Sequence, residues 1–343
     1  MRPRSNMKGN NTVQRYKSTE RAKTIASRRS IAALSCVLAA GAMLVNSASP
    51  ATAAAKPTGL VGYMSWNTGA DPFATALASA TLAEAKKLGV NLDYVNANGD
   101  QSKQISAIQT FIDRGAKAII VFPEYETSIV PILNEAAAKG IKVIDMNEAL
   151  AKNAKIFTYV GDNDYTYGEL EARLLVKALN GKGTFALAEG LIGSAAEINR
   201  TAGIKHVLKS YPNIHMISVG SDGFTTPKAL SLAQDWLTKY SSKLNAIVYE
   251  GPEGYVGGEW AAAHGHKGVK IILGDYPTYV RPAIEKGYVY GTVDQSPPLE
   301  AQDSMKVAYD ILTGQEAKVP RPAWYIPLPL VTSANVKSIA PAW

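Results

Sequence analysis

The side chains able to do chemistry sit at regular places along this sequence. Residues 66–73, residues 96–100, Glu124 and the pair Asn147-Glu148 each come after a short apolar run. Paired carboxyls can act as general acid and base, but they need a nucleophile, a metal or a cofactor to work on. No such partner is legible. There is no Gly-x-Gly-x-x-Gly after a strand, no Walker A sequence, no Gly-x-Ser-x-Gly elbow and no His-Glu-x-x-His. His264-Gly265-His266 has the look of a metal pair, but two histidines in a polar loop are more often solvated. His206 and His215 have no evident partners. The one cysteine, Cys36, lies in an apolar leader, so the chain beyond residue 55 has no thiol nucleophile, disulfide or zinc-thiolate site. The polar and aromatic residues therefore point to binding rather than turnover, with no metal and no cofactor.

Alternating strands and helices must present those residues. Residues 60–64, 92–95, 118–122 and 141–144 read as buried strands. Residues 72–88 read as a helix with Phe73, Leu77, Ala78, Leu82, Ala85 and Leu88 inward and Gly89 as its stop. Residues 101–114 read as a second helix, with Ile105, Ile108, Phe111 and Ile112 inward and Gly115 as its stop. A second series begins near Asn180. It has strands at 185–188, 216–219, 246–249, 269–273 and 288–293, and helices at 195–208, 227–240, 279–286 and 298–312. The helix at 227–240 buries Leu230, Leu232, Ala233 and Leu237, and an extended tail runs over 323–331. Strands alternating with helices of this length imply βαβ units and parallel sheets, hence an α/β fold of two doubly wound lobes. In open parallel sheets ligands bind beyond the carboxyl ends of the strands, where the polar residues fall.

The chain has 343 residues, 46% of them hydrophobic, which suits two globular lobes. Its formal charge of +7 is misleading. Residues 1–55 hold nine Lys or Arg and a single acid, Glu20, so the remainder is close to neutral. Backbone recognition of nucleic acid needs clustered Lys and Arg, and no nucleic-acid partner is expected. The leader joins a basic stretch, an apolar run at 31–45 and small residues at 51–55, the pattern of a cleaved export signal. Its apolar run is too short to span a bilayer. Ser27-Arg28-Arg29-Ser30-Ile31 partly matches a twin-arginine signal. The expected location is the periplasm.

Several motifs together resemble those of the periplasmic sugar-binding proteins of ABC transporters, in the ribose-binding-like branch of the type I periplasmic binding protein fold. They are Asp71-Pro72-Phe73, the segment 100–105, the segment 115–121, Gly161-Asp162-Asn163, the segment 193–196 with Arg200, Leu273-Gly274-Asp275 and Gln295-Ser296-Pro297. The resemblance covers essentially all of 60–331. It implies two lobes joined by a three-crossing hinge near Gly161, Gln295 and Trp324. The N-terminal lobe would take 58–161 and 296–324, and the C-terminal lobe 162–295 and 325–343.

The resemblance also implies ligand positions. They fall on Asp71 and Phe73 after the first strand, Asn147 and Glu148 after the fourth, Arg200, the stacking Phe224, Gly251 where the family has an asparagine, Asp275 and Gln295. Trp66 adds a stacking surface. Aromatic faces cover the C–H surface of a sugar ring, while Asp, Asn, Arg and Gln bond its hydroxyls. Glu148 stands where the family has an arginine, and Asp71 is a new acid. That shift moves the expectation from ribose to a neutral aldose or polyol, with an amino sugar next. Replacing Arg200 by Ala is expected to remove ligand without unfolding the protein. The expected role is a monomeric, non-enzymatic receptor that closes on its ligand and docks on ABC permease subunits in the inner membrane. The alternative is a sensing receptor that presents the same ligand to a chemoreceptor or sensor kinase.

Overall fold

A computed structural model describes residues 56–343; the leader lies outside the described residues. The chain begins with β1 (Leu60–Ser65), α1 (Pro72–Leu88), β2 (Asn91–Asn96), α2 (Gln101–Asp113), β3 (Ala118–Phe122), α3 (Val130–Ala138), β4 (Lys142–Met146) and β5 (Thr158–Gly161). It continues with α4 (Asp164–Ala178), β6 (Gly183–Glu189), α5 (Ala195–Leu208), β7 (Ile214–Ser221), α6 (Thr226–Tyr240), β8 (Ala246–Tyr249) and α7 (Tyr255–Ala263). After these come β9 (Lys270–Gly274), α8 (Arg281–Glu285), β10 (Gly291–Val293), α9 (Pro297–Leu312), β11 (Ala323–Tyr325) and β12 (Leu330–Thr332).

The strands form two six-stranded sheets, ordered β11-β5-β4-β3-β1-β2 and β12-β10-β9-β8-β6-β7. Every pairing is parallel except β10 with β12. The central strands β3 and β8 are buried along their whole length. Helices cover both faces of each sheet, which demands continuous apolar strands rather than alternating ones. Each sheet accordingly has a separate apolar core on either face, so the fold is two doubly wound parallel-sheet lobes.

Caps set the helix ends near the cleft. Asp71 accepts from Phe73 N at 2.8 Å and opens α1, and Gly89, at φ 68°, closes it. Asp100, Asn163, Ser194 and Ser296 cap α2, α4, α5 and α9 with their side chains. The chain changes sheet three times: between β5 and α4, between β10 and α9, and between β11 and β12. Tyr325 still pairs with Gly161 in the first sheet, so the last change falls in the segment 326–329.

Some inward faces differ from those expected. Leu82 is 41% exposed and Ile105 38%, while Thr81 and Gln104 are buried instead. Helix α1 is sandwiched between β-strands and α9, and small side chains at Ala74, Ala78, Thr81 and Ala85 let the helices approach. In α6, Trp236 is buried and Leu230 and Leu232 only half-buried. Helices α4 and α5 meet more closely still. A Cβ on Gly168 would lie 1.9 Å from the Arg200 carbonyl oxygen, and one on Gly203 would lie 2.1 Å from that of Tyr165. Only glycine fits at this crossing, which fixes where α5 carries Arg200. Among the described residues no helix is long and apolar enough to cross a membrane.

Candidate functional site

A cleft opens where the carboxyl ends of the two sheets face each other. It encloses about 540 Å³ of non-protein space, open solvent included. Nine of the ten residues singled out in the sequence line it: Trp66, Asp71, Phe73, Asn147, Glu148, Arg200, Phe224, Asp275 and Gln295. Gly251 stands behind the wall, against Phe224 and Glu253. The cleft also takes in Phe122, Glu124, Leu191 and Glu253.

The ends of the strands place these side chains by adopting an uncommon backbone. Asn147 comes after β4 at φ 71°, Phe224 after β7 at φ 56°, and Asp275 after β9 at φ 58°. The left-handed region costs a non-glycine residue of order 1–3 kcal/mol and persists where the surroundings hold it. Here they do. Asn147 N donates to the Val160 carbonyl at 3.0 Å, Phe224 N to Asp222 Oδ1 at 2.9 Å, and Asp275 N to the Tyr167 hydroxyl at 2.6 Å. Three side chains from two sheets are thereby turned into one cleft.

Aromatic rings form one wall. Phe122 meets Trp66 and Phe73 edge-on, each at 6.4 Å between centroids. Trp343 lies between the lobes, edge-on to Phe73 at 5.9 Å and to Tyr279 at 6.2 Å.

The opposite wall is ionic, and Arg200 is its hub. The residue is 5% exposed. Its Nε donates to Asp164 Oδ1 at 2.8 Å, Nη1 to the Glu250 carbonyl at 2.7 Å and Nη2 to Gln295 Oε1 at 3.0 Å. Asp162 Oδ2 is 4.0 Å away, and the guanidinium lies 3.8 Å over the Tyr167 ring. Arg200 therefore borders the cleft but spends most of its donors on the protein. Gln295, at the second crossing, also donates to Asp162 Oδ1 at 3.1 Å and to Glu300 Oε1 at 2.8 Å. Glu300 accepts from Asn147 Nδ2 at 3.1 Å as well, so one buried acid orients two cleft amides. The Tyr159 hydroxyl, at the first crossing, lies 2.6 Å from the Asn147 carbonyl and 2.9 Å from that of Asp162.

Two acids of the cleft also have structural partners. Asp71 caps α1 through one oxygen while bordering the cleft. Glu148 is half-buried and crosses between the lobes, accepting from Ala196 N at 3.2 Å in the first turn of α5. A carboxyl there meets the positive end of the helix dipole.

Five carboxyls border the cleft (Asp71, Glu124, Glu148, Glu253 and Asp275) against one guanidinium. Burial is the main influence on them. It lifts Asp71 and Asp275 to about 6, with Arg200 opposing it at Asp275. Burial also raises Glu148, Asp162 and Glu253 above the usual carboxylate range. The cleft is thus acceptor-rich and partly neutral, suited to a ligand dense in hydroxyls. His264 and His266 lie elsewhere, both stacked on Trp260 at 4.1 and 6.0 Å. Among the described residues no group of three or more His, Cys, Asp or Glu could hold a metal.

Comparison with known proteins gives the context. The family model described as "Periplasmic binding protein domain" matches residues 61–316. A xylitol-binding protein of Mycolicibacterium smegmatis is 28% identical over 253 residues, covering 74% of this chain and 71% of that protein. The ribose import binding protein of Bacillus subtilis is 25% identical, covering 72% and 80%. An ABC transporter solute binding protein from Bacillus halodurans, solved with bound myo-inositol, superimposes with a TM-score of 0.76 at 26% identity. That match covers 82% of this chain and 97% of that one.

Proposed function

Because the chain belongs to the family of periplasmic binding protein domains and is a sugar- or polyol-binding member of the ABC transporter type, we propose that it captures a neutral aldose or polyol in the periplasm for delivery to permease subunits. It is a solute-binding protein and not an enzyme, like its relatives. The ligand would sit between Phe73 and Phe224, with its hydroxyls on Asp71, Asn147, Asp275 and Gln295. Trp66 would extend the stacking surface, and Glu148 would border the ligand from the rim. The protein would act as a monomer, its lobes divided near residues 161, 295 and 325 and closing about those crossings.

The observation that carries this reading is the convergence of Asn147, Phe224 and Asp275, each held in a left-handed backbone, on one aromatic-walled cleft. A neutral ligand ranks first because burial favours the uncharged form of Glu148 and Glu253 there. An amino sugar ranks second, on the five bordering carboxyls.

A thermal-shift panel of pentoses, hexoses, pentitols, inositols and hexosamines at millimolar concentration tests it. Ligand at about 100 times its Kd adds about 2.7 kcal/mol to stability, hence a rise in Tm of roughly 5–10 °C for lobes of this size. If no member moves Tm, the sugar and polyol assignment is wrong.

A further inference from the structure

Glu253 is the least accounted-for group in the cleft. It stands in the one-turn 3-10 helix Pro252–Gly254 that comes after β8. It borders the cleft yet is 6% exposed, and its Oε2 is buried with no hydrogen-bond partner. A buried carboxyl oxygen left without a partner is costly, more so if charged, so its retention beside a binding cleft calls for a use.

The space around it has been cleared. Gly251 has extended backbone at φ −137° and ψ 178°, which any residue can adopt. The reason for glycine is therefore room, not conformation. A Cβ at position 251 would lie 2.4 Å from Glu253 Oε2 and 2.9 Å from Phe224 Cδ1. A glycine at position 251 has no side chain to offer a ligand. The carboxyl of Glu253 occupies that volume instead, beside the ring of Phe224.

We infer that Glu253 is a ligand-contacting, specificity-determining residue that takes over the place of a side chain at position 251 and offers its carboxyl group to a ligand hydroxyl. The charged groups acting on it are Asp222, Asp275 and Asp71, all acids. Burial first, and then these acids, push the carboxyl well above the usual carboxylate range, which favours the neutral acid, able to donate as well as accept. This contact selects a neutral hydroxyl over an ammonium, and it rests on the reading of the protein as a sugar or polyol receptor.

The test is isothermal titration of wild type, Glu253→Gln, Glu253→Ala and Gly251→Ala with xylitol, D-xylose, D-ribose, myo-inositol and D-glucosamine, with ligand-free Tm recorded for each. Gln reproduces the donor and acceptor of the neutral acid, so Glu253→Gln should hold affinity within about threefold, while Glu253→Ala should lose about 10- to 100-fold. Gly251→Ala, which touches no ligand, should lose affinity by displacing the carboxyl, and should cost less in the Glu253→Ala background. Unchanged affinity in Glu253→Ala overturns the inference and leaves the sugar reading intact. An equal loss in Glu253→Gln, or preference of wild type for D-glucosamine, overturns the neutral-acid role. If no probe binds wild type, the sugar reading itself fails and the inference falls with it.

Discussion

Replacing Arg200 by Ala should destabilise the whole protein rather than only remove a ligand contact. The residue is 5% exposed, and its guanidinium bonds Asp164, the Glu250 carbonyl and Gln295 at 2.7–3.0 Å. Asp162 and Asp164, on the first crossing and the start of α4, have this guanidinium as their cationic neighbour. Truncation leaves their carboxyls buried and uncompensated. Breaking a buried pair in this way costs about 3–5 kcal/mol, a large share of the roughly 5–15 kcal/mol that holds a native protein together. At about 2–4 °C per kcal/mol for a protein of this size, Tm should fall by roughly 6–20 °C. Urea unfolding at neutral pH without ligand measures the change directly. The double variant Arg200→Ala/Asp164→Asn should recover part of the loss, because it removes one stranded charge. Arg200→Ala unfolding at the wild-type urea concentration would refute the reasoning and restore the simpler expectation that Arg200 serves the ligand alone.

Glu300→Gln should flatten part of the pH dependence of stability. Burial lifts the Glu300 carboxyl from 4.5 to about 8, so between those values the native state keeps a proton that the unfolded state releases, and stability falls as pH rises. At about 1.4 kcal/mol per pH unit, the variant should gain about 3 kcal/mol on wild type between pH 4.5 and pH 7. Parallel urea-denaturation profiles for the two proteins would contradict this. Gly168→Ala should cost about 3 kcal/mol or more, at the upper end of the about 1–3 kcal/mol usual for overpacking, since its Cβ would meet backbone atoms of Arg200 at 1.9–2.7 Å. A thermal melt within a degree or two of wild type would show that α4 and α5 can part more easily than their geometry implies.

Much of the fold was legible because local signals agreed with tertiary ones. Asp71 and Gly89 bracket α1, Asp100 opens α2, and β3 and β8 are unbroken apolar runs with the bounds expected of them. The elements not anticipated, α7 with its paired Gly257 and Gly258 among them, have muted signals. Helix α3 carries Pro131 in its first turn, β5 is four residues long, and α4 mixes Tyr, Gly, Asp and Glu with apolar positions that look unpatterned. The muted pattern of α4 is also why the sequence concealed the setting of Arg200. Its partners Asp164 and Tyr167 lie on that helix, and their burial comes from packing against α5 and β9. Glu253 was hidden for a related reason. A carboxyl in a polar turn reads as solvated, and only the fold of the second lobe buries it beside Phe224. Trp343 gives no local hint of meeting Phe73, 270 positions earlier in the sequence.

The threading of α9 also constrains how the chain can assemble. Ala301, Met305, Ala308 and Ile311 belong to the same apolar core as Val61, Leu77 and Ala78. Beyond them β11 closes the edge of the first sheet against β5. The half of the molecule encoded first therefore lacks a wall until the ribosome has passed residue 312 and an edge strand until it has passed 325. The second sheet waits almost as long, for β12. Synthesis order and folding order are thus uncoupled, and both halves reach completion nearly together, late. Such remote pairings make for slow folding, which leaves a long interval in which the chain is still loose enough to be handled unfolded.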